Sequence, residues 1–177
     1  GFDLAGPEVG FSVLNHKEAS TLANENNVNV TLHADWEVPE GIKEVVLDSG
    51  AKRVGHGSQI INDVSFKNGS IIFNNEAAKY VFENKIALEI CPTSNVQCGA
   101  YSNVSEHSFG ELYKAGFNVT INTDNRLMSD ITMSDEVNNV VESFALTEKD
   151  ILSITRNTIQ AGFVSPKLKN KALEKLS

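Results

Sequence analysis

Short apolar stretches alternate along the chain with longer stretches in which apolar residues recur every three or four positions. The short stretches are rich in Val, Ile and Leu, and each is followed by a polar or glycine-containing turn, which is the pattern of buried β-strands. Five strands are predicted, over residues 1–5, 28–33, 52–56, 86–90 and 118–122.

The longer stretches predict amphipathic helices, and several carry recognisable start signals. Pro39 lies near the first turn of one helix, and Thr147 is followed three residues later by Asp150, a capping pattern. The predicted helices cover residues 39–51, 74–85, 105–116, 147–159 and 165–176.

Strands and helices that alternate at this spacing form parallel β/α units. Five such units are visible, whereas a (β/α)8 barrel needs eight, over roughly 250 residues. The length of 177 residues by itself favours an open, doubly wound sheet of five strands. The chemistry at the strand ends favours the barrel.

Polar residues with metal-binding or acid–base chemistry follow the predicted strands at their carboxyl-terminal ends. In a barrel these ends converge on one mouth, where active sites are built, whereas in an open sheet they spread along an edge. Histidine and aspartate are ligand types for zinc and also serve as general acids and bases. The residues concerned are Asp3, His33, His56, Asn95 and Asp124.

Each of these residues also has an ordinary structural interpretation. Asp3 can cap the turn after its strand, and Asp124 can cap a helix. A single buried histidine is more often a hydrogen-bonded structural residue than a ligand. His16 and His107 lie on predicted helices and are interpreted as structural.

Composition narrows the class of protein further. The formal net charge of −8 argues against nucleic acid or an anionic membrane as the main partner. No apolar run is long enough to cross a bilayer, and the first residues do not resemble a signal peptide. Two cysteines are too few for a disulfide scaffold, which predicts a reducing, cytoplasmic location.

Five ordered motifs resemble those of the adenosine deaminase family. They are GFDLAG at 1–6, LHAD at 32–35, RVGHG at 53–57, EICPTSN at 89–95 and INTDNRLMS at 121–129. The resemblance implies a zinc-dependent α/β protein of the (β/α)8 TIM-barrel type that hydrolyses adenosine to inosine and ammonia. Its partner would be a small purine nucleoside.

The resemblance also assigns roles to individual residues. His33 and Asp124 would bind a single zinc ion, which supplies the positive charge that a carboxylate at the end of a buried strand requires. His56 would orient or deprotonate the attacking water, which Asp124 also contacts. The backbone of Gly6 would touch the purine ring, and Asp3 would support the site.

The chain differs from the family pattern at its amino-terminal end. The family's other two zinc ligands form a His-x-His pair on the first barrel strand, and no such pair occurs here. Residues 1–177 are therefore expected to be the C-terminal portion of a single barrel domain, holding about the last five β/α units. A missing N-terminal segment, or another copy of the chain, would complete the barrel. An open portion of this kind is expected to expose inward-facing apolar residues and unpaired strand edges.

The proton donor to the ring also differs. Family members have His-Ala-Gly-Glu where this chain has HADWE, so Trp36 takes the place of the expected glutamate. Glu37 is the predicted donor, with Asp35 as a competing carboxylate. Asn125 replaces a second aspartate found in many members and can donate a hydrogen bond to a ring nitrogen from its amide.

Three functional hypotheses remain open from the sequence. The first is deamination of adenosine or a close aminopurine nucleoside, with this portion inactive when isolated. The second is a non-catalytic relative that binds purines or another protein. The third is the same chemistry on adenine or another amine.

Overall fold

The computed structural model describes residues 1–35, 38, 40–67 and 69–176. It contains a sheet of five parallel strands in the order β1-β2-β3-β6-β7, and a separate antiparallel hairpin, β4-β5. The strands are β1 Phe2–Leu4, β2 Val30–Ala34, β3 Arg53–His56, β4 Val64–Lys67, β5 Ser70–Phe73, β6 Ala87–Ile90 and β7 Val119–Ile121.

The helices follow the strands in the expected alternation. They are α1 Lys17–Glu25, α2 Gly41–Lys43, α3 Glu76–Glu83, α4 Pro92–Gln97, α5 Phe109–Ala115, α6 Arg126–Ser129, α7 Met133–Phe144, α8 Glu148–Ala161 and α9 Pro166–Leu173. Short 3-10 helices cover Val13–His16, Ser58–Asp63, Val104–Glu106 and Glu174–Leu176, and α2 continues into a π-helical turn over Glu44–Asp48. None of the described helices is both long enough and apolar enough to span a bilayer.

All five predicted strands are confirmed and form the parallel sheet. The predicted helix at 105–116 is shorter than expected, because the chain forms a 3-10 turn and the α-helix begins only at Phe109. His107 therefore lies between two helical segments and not on a helix. The five predicted helix ranges contain no part of α1, α4, α6 or α7, and the β4-β5 hairpin was not predicted.

The two faces of the sheet differ sharply in chemistry. One face is apolar and packs under the helices, and its fully buried residues include Val30, Leu32, Val54, Leu88 and Val119. Because side chains alternate along a strand, the residues between them point to the opposite face.

That opposite face is polar, which corrects the expectation of exposed inward-facing apolar residues. Thr31 donates to Glu89 Oε2 at 2.7 Å, and Arg53 Nε lies 2.9 Å from Glu89 Oε1, which links β2, β3 and β6. The guanidinium of Arg53 also stacks on the ring of Phe163 at 3.7 Å, beyond the end of α8. These side chains form a polar layer, the polar floor, beneath the strand ends. The apolar side chains of the sheet lie on the other face, under the helices.

A glycine fixes the turn that leaves β3. Gly57 has a φ of 71°, in the left-handed region, and an added Cβ would lie 2.8 Å from Leu88 Cδ2 and 3.2 Å from Val54 Cγ1. The position therefore combines a backbone conformation that disfavours side chains with a close approach to the buried core.

We predict that Gly57→Ala lowers the free energy of unfolding by roughly 2–5 kcal/mol, the sum of left-handed strain and overpacking. Gly99 is a matched control, because its φ is 83° and no atom lies within 4 Å of an added Cβ. Gly99→Ala should cost only roughly 1–2 kcal/mol, from the backbone alone. Urea unfolding of both variants measures the difference, and equal losses would contradict the steric argument.

Candidate active site

The ends of β2, β3 and β7 bring three of the predicted site residues together. The imidazole rings of His33 and His56 have their centroids 4.8 Å apart. His56 Nε2 lies 3.8 Å from Asp124 Oδ2, and the negative charge of Asp124 also acts on His33. The three side chains thus form one cluster at the carboxyl-terminal ends of the parallel strands.

Two members of this cluster have unusual backbone conformations. His56 has a φ of 59° and Asp124 a φ of 55°, both in the left-handed region. Non-glycine residues adopt this region at a cost, and such conformations concentrate at functional sites. In both cases the left-handed residue turns the chain as it leaves its strand.

Asp35, which follows β2, is a buried carboxylate beside His56. Its Oδ1 accepts hydrogen bonds from the backbone N–H of Ser58 at 3.1 Å and from the Ser58 hydroxyl at 2.6 Å. Its Oδ2 accepts a short hydrogen bond from the amide of Asn95 and lies 3.7 Å from His56 Nδ1. Burial raises the pKa of Asp35, while these donors and the nearby histidine oppose that shift.

The start of α4 supplies both residues that contact the cluster from the β6 side. The hydroxyl of Ser94 donates to Asp124 Oδ2 at 2.7 Å, and Asn95 Nδ2 lies 3.4 Å from His56 Nδ1. The fully buried Glu136 of α7 holds this turn in place by accepting hydrogen bonds from the backbone N–H and the hydroxyl of Thr93. The EICPTSN motif is therefore held by Glu136 on one side and contacts the cluster on the other.

Glu8, in the loop after β1, contacts His33 from the opposite side. Its Oε1 lies 3.2 Å from His33 Nε2 and accepts a hydrogen bond from the backbone N–H of Asp35 at 2.8 Å. Burial opposes ionisation of Glu8, but the hydrogen bonds from His33 and Asp35 hold its pKa below the usual value. Burial by itself lowers the pKa of His33, but the hydrogen bond and charge of Glu8, together with the charges of Asp35 and Asp124, raise that pKa overall.

A cavity of about 540 Å³ opens beside His33, between the loop after β1 and the helical segment at 41–48. Its size suits a small organic ligand. Gly6, Glu8, Phe11 and Glu44 line it together with His33. Among the described residues that line this cavity, none is lysine or arginine.

A third histidine, which is buried, lies behind the cluster. His107 is only 3% exposed, and its Nε2 lies 3.1 Å from Asn95 Oδ1. Its Nδ1 accepts a hydrogen bond from the backbone N–H of Phe109 at 2.9 Å. Burial, assisted by the charge of His56, lowers the pKa of His107 to about 4.

The remaining predicted site residues that the structure describes lie outside the cluster of His33, His56 and Asp124. Gly6 lines the cavity, as a contact to a ligand requires. Asn125 caps α6, because its Oδ1 accepts from the backbone N–H of Met128 at 3.2 Å. Asp3 is in register with Thr31 and therefore lies one layer below His33, within β1 and not at its end. Glu37 lies outside the described residues.

The donor types in the cluster fit a zinc ion, since imidazole and carboxylate are its usual nitrogen and oxygen ligands. A zinc site usually has three or four protein ligands, and the cluster does not supply that many. Within the part of the chain that the structure describes, no group of three or more His, Cys, Asp or Glu side chains is arranged to hold a metal ion. His33 and Asp124 are thus candidates for part of a ligand set.

Sequence reasoning missed the contacts that Glu8, Ser58, His107 and Glu136 make around the cluster. Glu8 carried a signal, because a carboxylate follows the first strand within the glycine- and proline-containing stretch GPEVG. Ser58 directly follows RVGHG, but serine after a strand is too common to stand out. The burial of His107 and Glu136 depends on helices packing from distant parts of the chain, which no local pattern shows.

Comparison with known proteins places these residues in a family. The family model for adenosine deaminase matches residues 1–177. The adenosine deaminase of Mycobacterium marinum is 38% identical over 167 residues, which cover 93% of this chain and 46% of that protein. The chain thus spans about half the length of the curated relatives it matches.

Solved structures show the same fold. An adenine deaminase from Arthrobacter aurescens superposes with a TM-score of 0.88 at 22% identity, over 99% of this chain and 51% of that one. An amidohydrolase from Burkholderia ambifaria, solved with bound Zn, superposes with a TM-score of 0.79 at 19% identity, over 98% of this chain and 48% of that one. The predicted fold class, an α/β barrel type of which the chain holds a part, is confirmed. The chain belongs to the adenosine deaminase family.

Proposed function

We propose that the protein to which this chain contributes is a zinc-dependent deaminase that hydrolyses adenosine, or a close aminopurine nucleoside, to inosine and ammonia. The observation that carries the proposal is the convergence of His33, His56 and Asp124 at the ends of three parallel strands. In this proposal residues 1–177 are the C-terminal portion of one barrel domain. A preceding segment or a second copy of the chain would supply the rest.

His33 and Asp124 are the proposed protein ligands of one zinc ion, together with two histidines from outside this chain. When bound, zinc would activate a water molecule as the nucleophile and stabilise the charge of Asp124. In this structure His33 Nε2 faces Glu8 at 3.2 Å, so a metal ion would compete with Glu8 for that nitrogen. Ser94 holds one oxygen of Asp124 by a hydrogen bond and so limits its rotation.

His56 is the proposed group that orients the attacking water and accepts its proton. Its Nδ1 side faces Asp35 and Asn95, while its Nε2 faces Asp124. The proton would therefore be taken up at Nε2, and the carboxylate of Asp35 would stabilise the resulting imidazolium. Because Asp35 is buried, that stabilisation is little weakened by water.

A nearby acid must protonate the purine ring as the amine leaves. Asp35 is engaged by Ser58 and Asn95 and faces His56, so it is poorly placed to donate to a substrate in the cavity. We therefore retain Glu37 as the proposed donor. Asn125 would contribute its side-chain amide nitrogen to a ring nitrogen, because its oxygen already caps α6.

The cavity supports an uncharged nucleoside as the substrate class. Glu8 and Glu44 lie in its wall, and its described lining contains no lysine or arginine with which to bind a phosphate. The formal net charge of −8 would further repel a nucleotide. The backbone of Gly6, which lines this cavity, is the proposed contact to the purine, and Asp3 would support the site from the layer below.

A cytoplasmic location is also proposed. Cys91 is buried and Cys98 is exposed, and both are free thiols. An exposed free thiol suits a reducing compartment.

We predict that Asp124→Asn in the active protein lowers kcat/KM for adenosine by more than about 100-fold and reduces the zinc content, because a charged ligand becomes a weak neutral one. Asp130→Asn is the matched control, since Asp130 is an exposed left-handed residue at the end of α6. It should retain full activity and zinc. Absorbance loss on inosine formation and elemental analysis measure both quantities. Full zinc occupancy in Asp124→Asn would contradict the assignment.

We also predict that the 177-residue chain by itself shows no measurable deaminase activity and binds zinc weakly, because it contributes only two of the proposed ligands. Co-expression with a polypeptide that supplies the first barrel strands of the family should restore activity. The same combination carrying Asp124→Asn should stay inactive. Rapid turnover of adenosine by the chain alone would show that the ligand set is complete without a partner.

A further inference from the structure

We propose that His107 is a positioning residue, which acts through Asn95 and Asp35 to hold the ring of His56 in its working orientation. None of the steps described above uses His107, yet it is buried directly behind the cluster. The kinetic consequence of this role rests on the proposed deaminase function. The structural consequence does not.

The first step is the hydrogen-bonding direction of His107 itself. The backbone N–H of Phe109 donates to Nδ1 at 2.9 Å, so Nδ1 must be an unprotonated acceptor. In a neutral imidazole the other nitrogen then carries the hydrogen. Nε2–H is therefore a donor, and the lowered pKa of about 4 keeps the ring neutral at ordinary pH.

The second step is the orientation of the Asn95 amide. Because Nε2–H of His107 donates, the atom of Asn95 that faces it at 3.1 Å must be the oxygen. The amide nitrogen then points to the other side, towards Asp35 Oδ2 and His56 Nδ1. A flipped amide would place an oxygen against the Asp35 carboxylate and an N–H against the N–H of His107. His107 and Asp35 thus select the same one of the two amide orientations.

The third step links this amide to His56. Asn95 Nδ2 lies 3.4 Å from His56 Nδ1, and Asp35 Oδ2 lies 3.7 Å from the same nitrogen. Because uptake of a proton at Nε2 requires the hydrogen of the neutral ring to be on Nδ1, the group that faces Nδ1 as an acceptor is the Asp35 carboxylate. Asn95 acts by donating to that carboxylate, which holds Asp35 beside Nδ1 and so directs Nε2 towards Asp124. His107, Asn95 and Asp35 are 3%, 2% and 4% exposed, so water cannot readily replace a lost partner.

The ring of His107 is itself held by an aromatic contact. Tyr101 packs on it with ring centroids 4.1 Å apart. The hydroxyl of Tyr101 lies 2.9 Å from the hydroxyl of Ser108, which donates to the backbone carbonyl of Ser58 at 2.8 Å. Ser58 also donates to Asp35, so the contacts of Tyr101, Ser108 and Ser58 hold both His107 and Asp35 in place.

The kinetic test compares three variants of the active protein. His107→Phe removes the donor but keeps an aromatic ring, and should lower kcat by about 10- to 100-fold with little change in KM or zinc content. His107→Gln keeps a side-chain N–H for Asn95 and should recover much of the loss. Tyr113→Phe is the control, because it removes a hydrogen bond to Asp150 at 2.8 Å elsewhere in the same helical region.

Several kinetic outcomes would overturn the proposal. They are an unchanged kcat in His107→Phe, an equal loss in Tyr113→Phe, or a rise in KM at constant kcat. A double-mutant cycle gives a further check. In an Asn95→Ala background, His107→Phe should have almost no additional effect on kcat, because the amide through which His107 acts on Asp35 and His56 is already absent. Full additivity of the two losses would contradict a shared path.

A second measurement does not depend on catalysis. Nitrogen-15 NMR of the histidine rings of this 177-residue chain, assigned with single His→Gln variants, should show His107 protonated only at Nε2. In His107→Phe the ring resonances of His56 should shift or broaden, whereas Tyr113→Phe should leave them unchanged. If His56 is unaffected by His107→Phe, the proposal fails. Should the protein not deaminate any aminopurine, the proposed function fails and this measurement still decides the role of His107.

Discussion

The buried carboxylate of Asp35 is the constraint on which the arrangement of the site depends. A carboxylate removed from water must find donors within the protein, or its charged form becomes unstable. Here the donors come from Ser58 after β3 and from Asn95 in α4, and the carboxylate itself follows β2. Satisfying one charge therefore fixes three segments of the chain relative to one another. His56 lies where those segments meet.

The two faces of the sheet have different roles, since one supplies the hydrophobic core and the other supports the candidate site. Its apolar face buries aliphatic side chains under the helices and provides the main hydrophobic contribution to stability. Its polar face carries the ion pair of Arg53 and Glu89 as a floor, with the histidines above it. Because strand residues alternate, a single strand such as β2 serves both faces, with Leu32 under the helices and His33 in the site.

Strain and charge are concentrated at the same end of the sheet. His56 and Asp124 both take left-handed conformations as they leave their strands, and the loops around them supply the buried acids Glu8 and Asp35. The site therefore carries more negative than positive charge. That surplus suits a cation as the central ligand and an uncharged molecule in the adjoining cavity.

The sequence alone determined the parallel strands, because runs of Val, Ile and Leu bounded by turns occur at regular spacing and depend on local chemistry. It also identified His33, His56 and Asp124, since strand ends are defined by the strands themselves and the motifs around them resemble a known family. The roles of these three residues, and of Gly6 and Asn125, remain proposals.

Only the tertiary structure decided which polar groups face one another. His107 was interpreted as a structural residue on a helix, whereas it lies between two helical segments and contacts the buried amide of Asn95. The polar lower layer of the sheet was also not foreseen, since alternation along a strand shows two faces without saying which one the helices cover. Hydrogen-bond partners far apart in sequence, such as Asp35 and Asn95, are selected by packing and desolvation of the whole domain, and no local pattern encodes that choice.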